Sequence, residues 1–413
     1  MFAASRFAAA TTARMATSTV GKRAMFSTHV TAFTEEEIML KDTVKRWAEA
    51  EIKPLVRKMD SEKKMDKKII DGLFEQGLMG IEIPSEYGGA GMSFTGAILA
   101  IEELAKVDPS VSVCCDVQNT LVNNMFRFYA SEEMKQRIFP KLATDKMGCF
   151  CLTEPTSGSD AFALETKAVD LGKEGFAITG NKLFITNAAE ADIFVVMANL
   201  DKSKGHRGIT TFVVERGMEG LSVGNNEDKL GIRASSTCPI SFNNVIVPRE
   251  NVLGEIGKGY KYAIEILNEG RIGIASQMVG IAQGAFDNTI PYLYERKQFG
   301  KSIADFQSVQ FQIAQMAVDI EAARTLTLNA ARMKEGGLNF VKEAAIAKYF
   351  ASQVAKSVST TCVELMGGVG FMKDMPQEKF YRDAIIGSIY EGTSNIQLQT
   401  IAKIVSQDYK PRN

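Results

Sequence analysis

The stretch "FAITGNKLFITN", residues 176–187, gathers apolar and β-branched residues into short runs broken by Gly180-Asn181. Three further stretches read the same way: "DIFVVMANL" (192–200), "GITTFVVERG" (208–217) and "PISFNNVIVP" (239–248). Short β-branched runs separated by Gly, Asn and Pro are strand and turn signals, and they predict an antiparallel β-domain over residues 149–257. The chain on either side reads differently. A capping box, "TEEE" from Thr34 to Glu37, opens a helix through the lone Trp47. Helical segments follow in "KKIIDGLFEQG", "GAILAIEELAKV" and "EEMKQRIFPKLA", so residues 31–148 form a helical unit. Beyond Gly259, "FQSVQFQIAQMAVDIEAARTLTLNAARMKEGG" places Phe306, Val309, Ile313, Met316, Ile320 and Ala323 at steps of three and four, the stripe of a bundle or oligomer core. Residues 258–413 are therefore a second helical unit, and the fold class is α+β.

A length of 413 residues agrees with more than one core, since single cores stop growing beyond roughly 250–300 residues. Forty-eight basic against forty-nine acidic side chains leave a formal charge of −1 and no basic stripe, so no nucleic-acid partner is expected. Apolar runs are interrupted well short of the ~18–20 residues needed to cross a bilayer, so no membrane partner is expected either. Residues 1–30 stand apart. Arg6, Arg14, Lys22 and Arg23 lie among Ala, Ser, Thr and Phe, and the first acid is Glu35, the composition of a mitochondrial transit peptide and hence of a matrix protein. The six cysteines have neither zinc nor redox spacing, and disulfides are not expected in a reducing matrix.

Histidine is scarce. His29 lies in or beside the presequence and His206 sits in the loop composition "KSKGHRG", which excludes a Ser/His/Asp triad and a multi-histidine metal site. Proton abstraction then falls to a carboxylate, Lys, Tyr or Cys. One carboxylate is conspicuous: in "SIYEGTSNIQ", residues 388–397, Glu391 follows an apolar run and precedes small hydrogen-bonding residues. It reads either as solvated surface or as a half-buried base. No G-x-G-x-x-G is present, and "FGKS" lacks the upstream glycine of a phosphate loop. Two other stretches are dense in ligand-facing residue types, "CLTEPTSGSD" (151–160) and the glycine-rich "ELMGGVGFMKDMPQEKFYRD" (364–383), where Lys379, Arg382 and Asp383 follow at helical spacing.

Together these stretches resemble the two signature patterns of the acyl-CoA dehydrogenase family. Thr153-Glu154 and Gly158-Ser159-Asp160 carry the first; Glu364, Gly367-Gly368, Gly370, Asp374, Lys379 and Asp383 carry the second. The likeness runs from about residue 32 to the C-terminus. It implies an N-terminal helical domain, a central β-domain, a C-terminal four-helix bundle, bound FAD and an acyl-CoA substrate. Glu391 is then the base that removes the α-proton of the thioester while a hydride leaves the β-carbon for the flavin. The Glu391 N–H is a donor to the thioester oxygen.

By the same resemblance, Phe150, Cys151, Leu152, Thr153, Glu154, Pro155, Thr156, Ser157, Gly158 and Ser159, with Phe184, Ile185 and Thr186, contact the flavin. Arg296, Gln298, Gln307, Glu364, Leu365, Met366, Gly367, Gly368, Thr393, Ser394 and Asn395 are FAD contacts made partly across a subunit interface. Ser159, His206, Tyr260, Asn268, Glu269, Gly270, Arg271 and Gly392 are acyl-CoA contacts, although the composition around His206 by itself reads as solvated surface. Electron transfer flavoprotein is the expected acceptor and a homotetramer the expected assembly. Phe184 departs from the family's usual Trp and keeps the apolar cover without an indole N–H. Gly270 stands where some relatives carry their catalytic glutamate. Its neighbour Glu269 lies about 100° around the helix and does not replace it. "DVQNTLVNN" and "NEGRIGIASQM" are similar to members acting on short and 2-methyl-branched acyl chains. A straight short-chain dehydrogenase, an acyl-CoA oxidase and an inactive scaffold are the alternatives.

Overall fold

The computed structural model describes residues 29–410, so the expected transit peptide lies almost wholly outside the described residues. Seven helices come first: α1 Glu35–Trp47, α2 Val56–Glu62, α3 Lys67–Glu75, α4 Phe94–Ala105, α5 Pro109–Asp116, α6 Asn124–Tyr129 and α7 Glu132–Thr144. Their starts are written locally. Thr34 and Glu37 form the reciprocal capping box of α1, Asp66, Ser93 and Ser131 cap α3, α4 and α7, and Asp108 caps α5 with Pro109 in the first turn. Between α5 and α6 the chain continues as a π-helical segment, Val117–Asn123, the kind of widened turn frequent at functional sites.

The sheet follows: β1 Met147–Cys151, β2 Lys167–Asp170, β3 Phe176–Thr186, β4 Ala191–Asn199, β5 Ile209–Glu215, β6 Leu221–Val223 and β7 Thr237–Val247. Antiparallel pairing runs β2–β3–β7–β6, and β5 pairs antiparallel with β4. Two pairings, both parallel, differ from the expected pattern. β1 runs parallel to β4, Phe150 opposite Val195, and β2 meets the end of β4 at Lys167 opposite Asn199. The cause is the long crossover between β1 and β4, which places two non-consecutive strands side by side. Phe176, Phe194, Phe212, Phe242 and their neighbours form the core on one face of the sheet.

The last unit holds α8 Gly259–Glu295, the short hairpin β8 Lys297–Gln298 and β9 Lys301–Ser302, then α9 Gln307–Glu335, α10 Val341–Met366, α11 Gln377–Ala384 and α12 Ser394–Tyr409. α8 is central, packed between α4 and α10 with α9 alongside. Its middle, from Asn268 to Ala282, is buried all round, as a helix in the interior of a large bundle must be. The main core joins all three units: Ile98 and Leu121 from the first, Ile193 and Val213 from the sheet, Ile274, Met278 and Ala351 from the bundle.

A buried ion cluster locks the same junction. Lys379 on α11 donates to Asp108 Oδ1 at 3.0 Å and to Asp383 Oδ2 at 2.7 Å. Asp383 Oδ1 accepts the backbone N–H of Ile232, which lies between β6 and β7. Two residues of the second signature pattern thus tie helices to the sheet unit.

Candidate active site

Glu391 lies in the turn that enters α12. Glu391 and Gly392 both have left-handed backbone angles, φ 52° and 85°. For a glutamate that conformation costs of order 1–3 kcal/mol and persists only where the surroundings over-determine it. They do so here with hydrogen bonds. The Gln397 amide donates to the carbonyls of Glu391 and Gly392 at 3.0 and 2.9 Å. The Lys348 ammonium donates to the Gly392 carbonyl at 2.6 Å, and Thr393 caps α12.

The turn so held sets the Glu391 carboxylate against α8. A Cβ at Gly270 would lie 3.0 Å from Glu391 Oε2 and 2.8 Å from Leu121 Cδ2, so glycine leaves the space that the carboxylate uses. One turn further along α8, a Cβ at Gly273 would lie 1.9 Å from Asp116 Oδ1. Two carboxyl groups are thus seated on adjacent glycines of one helix. Glu391 Oε2 is sealed from solvent with no hydrogen-bond partner among the described residues. Burial pushes its pKa up to about 7, with Lys348 and Arg271 acting in the opposite direction. Burial, and then the Glu391 charge, hold the Asp116 carboxyl well above the usual carboxylate range, and Thr120 donates to it at 2.9 Å.

Sequence reading left Glu391 with few charged neighbours. The fold supplies them from elsewhere: Arg271 from α8, Lys348 from α10 and Asp116 from the end of α5. Tyr390, next in the chain, bonds the Gln277 side chain. Lys348, Asp116, Tyr390 and Gln277 were not among the expected site residues. The signal that could have found the first two is a lone charge inside an apolar run, "AAIAKYFAS" and "VSVCCDVQN".

A second group of expected residues meets on β3. Lys182 pairs with Ile240 and Ile185 with Cys238, so Leu183 and Phe184 oppose a single partner residue in a β-bulge. Phe184 takes φ 58° and turns its ring out of the sheet, 59% exposed, while Lys182 and Ile185 stay inside. The Leu183 N–H donates to the Thr153 carbonyl at 2.9 Å, which joins the bulge to the first signature stretch. In that stretch Pro155, Thr156, Gly158 and Ser159 are exposed, and Phe150 and Thr153 partly so. Thr186 is also partly accessible.

Several expected contacts have side chains turned away. Glu154 is buried against Lys182, 2.7 Å from its ammonium, and accepts the N–H groups of Glu165 and Thr166. It is a structural carboxylate, since burial alone would neutralise it and Lys182 keeps its pKa low. Cys151 and Ile185 belong to the sheet core, and Leu152, Ser157 and Met366 are buried. Only their backbones remain for a ligand. Glu269 faces a different cluster: Asn124 donates to it at 2.7 Å and Lys334 lies at 3.3 Å. Asn268 accepts from Arg271 at 2.8 Å. Tyr260 stacks on Phe162 at 3.7 Å, with the exposed His206 ring edge-on to Phe162 and tilted against Tyr260. Arg296, Gln298, Gln307, Glu364 and Asn395 are exposed, Leu365 is half-buried beside the main core, and all six cysteines are free and buried.

Comparison with known proteins identifies the architecture. Residues 34–146 match the acyl-CoA dehydrogenase N-terminal domain, 149–245 the middle domain and 257–406 the C-terminal domain. The chain belongs to the acyl-CoA dehydrogenase family. It is 57% identical over 377 residues to the short/branched chain specific acyl-CoA dehydrogenase, mitochondrial, of Bos taurus, covering 91% of this chain and 87% of the relative. It resembles a structure reported for the electron transferring flavoprotein of Acidaminococcus fermentans, with TM-score 0.89 and 42% identity over 91% of this chain and 99% of the other. A glutaryl-CoA dehydrogenase of Mycobacterium smegmatis in complex with FADH2 superposes with TM-score 0.86 at 27% identity, over 92% of this chain and 97% of that one.

The cofactor of an acyl-CoA dehydrogenase is FAD, and the residues here fit one. A Cβ at Gly367 or Gly368, at the end of α10, would meet no atom within 4 Å, so that backbone is open to close approach. The Ser394 hydroxyl is buried without a partner among the described residues, and Phe184 offers an exposed apolar face.

Proposed function

We propose that this acyl-CoA dehydrogenase acts on short acyl-CoA thioesters, including those branched at the 2-position, with Glu391 as the base. The observation that carries the reading is the Glu391 carboxylate, sealed against Gly270 and unpartnered at Oε2. A carboxylate in water, with pKa about 4.3, is a weak base; one near 7 is matched to neutral pH. Glu391 takes the α-proton onto its carboxylate, and the bond that held it becomes the second bond between the α- and β-carbons. FAD, when bound, accepts the two electrons that leave the β-carbon with its hydrogen. The Glu391 N–H faces the oxygen on which charge develops, and the core around Leu121 and α8 keeps water from the proton.

Branching follows from the direction of approach. With glycine at 270 the carboxylate comes from the α12 side and fills the space beside the helix, so no side chain at 270 competes with a substituent on the α-carbon. The name of the Bos taurus relative supports the same preference. Electron transfer flavoprotein as acceptor, a homotetrameric assembly and the mitochondrial matrix as location belong to this proposal. The last is supported by the basic, acid-poor residues 1–30 and by that relative's name. The domain limits 31–148, 149–257 and 258–413 are proposed as the functional units.

Two measurements test the reading. Glu391→Gln is expected to retain flavin and bind acyl-CoA while turnover falls by several orders of magnitude; near-normal turnover refutes the base. For substrate, kcat/KM is compared for 2-methylbutyryl-, isovaleryl-, butyryl- and octanoyl-CoA. The 2-methyl-branched and short straight chains are expected to lead. A tenfold lead for isovaleryl- or octanoyl-CoA, about 1.4 kcal/mol, removes the substrate assignment and leaves the base standing.

A further inference from the structure

Lys348 is fully buried on α10, and its ammonium donates to a neutral group, the Gly392 carbonyl. Burying a cation is costly, and a neutral donor would hold the same carbonyl. One turn along α10, Ser352 donates to the Gly387 carbonyl at 2.7 Å, so this helix already grips the segment carrying Glu391 through a neutral hydroxyl. The positive charge therefore needs a further reason, and the anionic group acting on it is Glu391. Resting on the reading of Glu391 as the base, we infer that Lys348 is a positioning residue: it clamps the left-handed Glu391–Gly392 turn from α10 and places a buried cation beside the ionised carboxylate.

The electrostatics agree with the geometry. Four groups from separate elements are each coupled to Glu391 here: Lys348 from α10, Arg271 from α8, Asp116 from the end of α5, and Tyr390 from the turn itself. Burial pulls Lys348 down to about 7, against the upward pull of Glu391. It is the first of the two cations that lower Glu391's own pKa. Asp116 and Tyr390 have their charged forms disfavoured, which leaves Arg271 and, on the acid side of neutrality, Lys348 as the charges that matter. Removing the cation makes Glu391 harder to ionise.

The test compares Lys348→Met, Lys348→Gln and Lys348→Arg holoenzymes by kcat/KM against pH, with bound-flavin absorbance as the check on folding. The acid limb reports ionisation of the base in free enzyme. It is expected to move to higher pH by about one unit in the Met and Gln variants, so that on the acid side their rate, relative to plateau, is about tenfold below the unsubstituted enzyme. In Lys348→Arg it is expected to stay in place. A uniform fall in rate with an unmoved limb in both neutral variants overturns the proposal, and so does loss of flavin from both, which would mark a purely structural lysine. If only one neutral variant keeps flavin, its limb decides. Turnover retained in Glu391→Gln would instead sink the underlying reading, a result distinct from an unmoved limb.

Discussion

A methyl group on Gly270 would press on the buried Glu391 Oε2 and on Leu121 at once, 3.0 and 2.8 Å from its carbon. Gly270→Ala is therefore expected to displace the carboxylate. A misplacement near 1 Å costs about a hundredfold in a positioned reaction, so kcat/KM should fall ten- to a hundredfold. Stability should fall little, because alanine gains about 1 kcal/mol over glycine inside a helix. Assay and thermal melt on the same preparation check both halves. The residue scale is also where sequence reading went furthest. Glu391 stood out because an apolar run precedes it and histidine is nearly absent. Its neighbours did not stand out, because Lys348 and Asp116 are distant in sequence and meet it only after α5, α8 and α10 pack.

At the scale of elements, α5, α11 and the loop after β6 are joined by Lys379 with Asp108 and Asp383. Lys379→Met leaves two buried carboxyl groups without their cation and is expected to destabilise the fold by about 3–5 kcal/mol. Denaturant unfolding at several pH values measures it. The sign follows from the shift: burial alone would lower Lys379, but Asp108 and Asp383 outweigh it and raise it above its ordinary value. Its contribution is then complete below the unfolded pKa of about 10.4 and is lost as pH rises toward the higher folded value. The gap between the two proteins should hold across neutral pH and begin to close only above about pH 10. Element identity was mostly legible. The capping box of α1 is formed as its four letters imply, and Met316, Ile320 and Ala323 of the α9 stripe are buried. The parallel pairing of β1 with β4 and the π-helical Val117–Asn123 were not, because partner and register are settled by what lies alongside and not by composition.

For the whole molecule, the hairpin β8–β9 carries Arg296 and Gln298 into solvent, with Phe299 at its tip 96% exposed. Phe311 and Val318 on α9 are 65% and 62% exposed, and a groove lined by Ala317, Val318, Ala322, Leu326 and Phe350 runs beside them. Such an apolar surface suits a second copy of the chain. Arg296→Ala is accordingly expected to lower flavin occupancy, more so in dilute protein, because its guanidinium would reach the cofactor of a neighbouring subunit. Flavin-to-protein absorbance ratios with light scattering across a dilution series check it; unchanged occupancy at every concentration removes the cross-subunit role. By itself the sequence determined the helical, β, helical order and the family, and it singled out Glu391 as the candidate base, since caps, periodicities and signature stretches are local and survive in a linear reading. Only the tertiary structure decided which charges surround Glu391, which signature residues face inward as ion pairs, and that Gly270 and Gly273 each receive a carboxylate. The reason is physical: burial and electrostatic coupling act through space, between groups that the chain holds far apart until it folds.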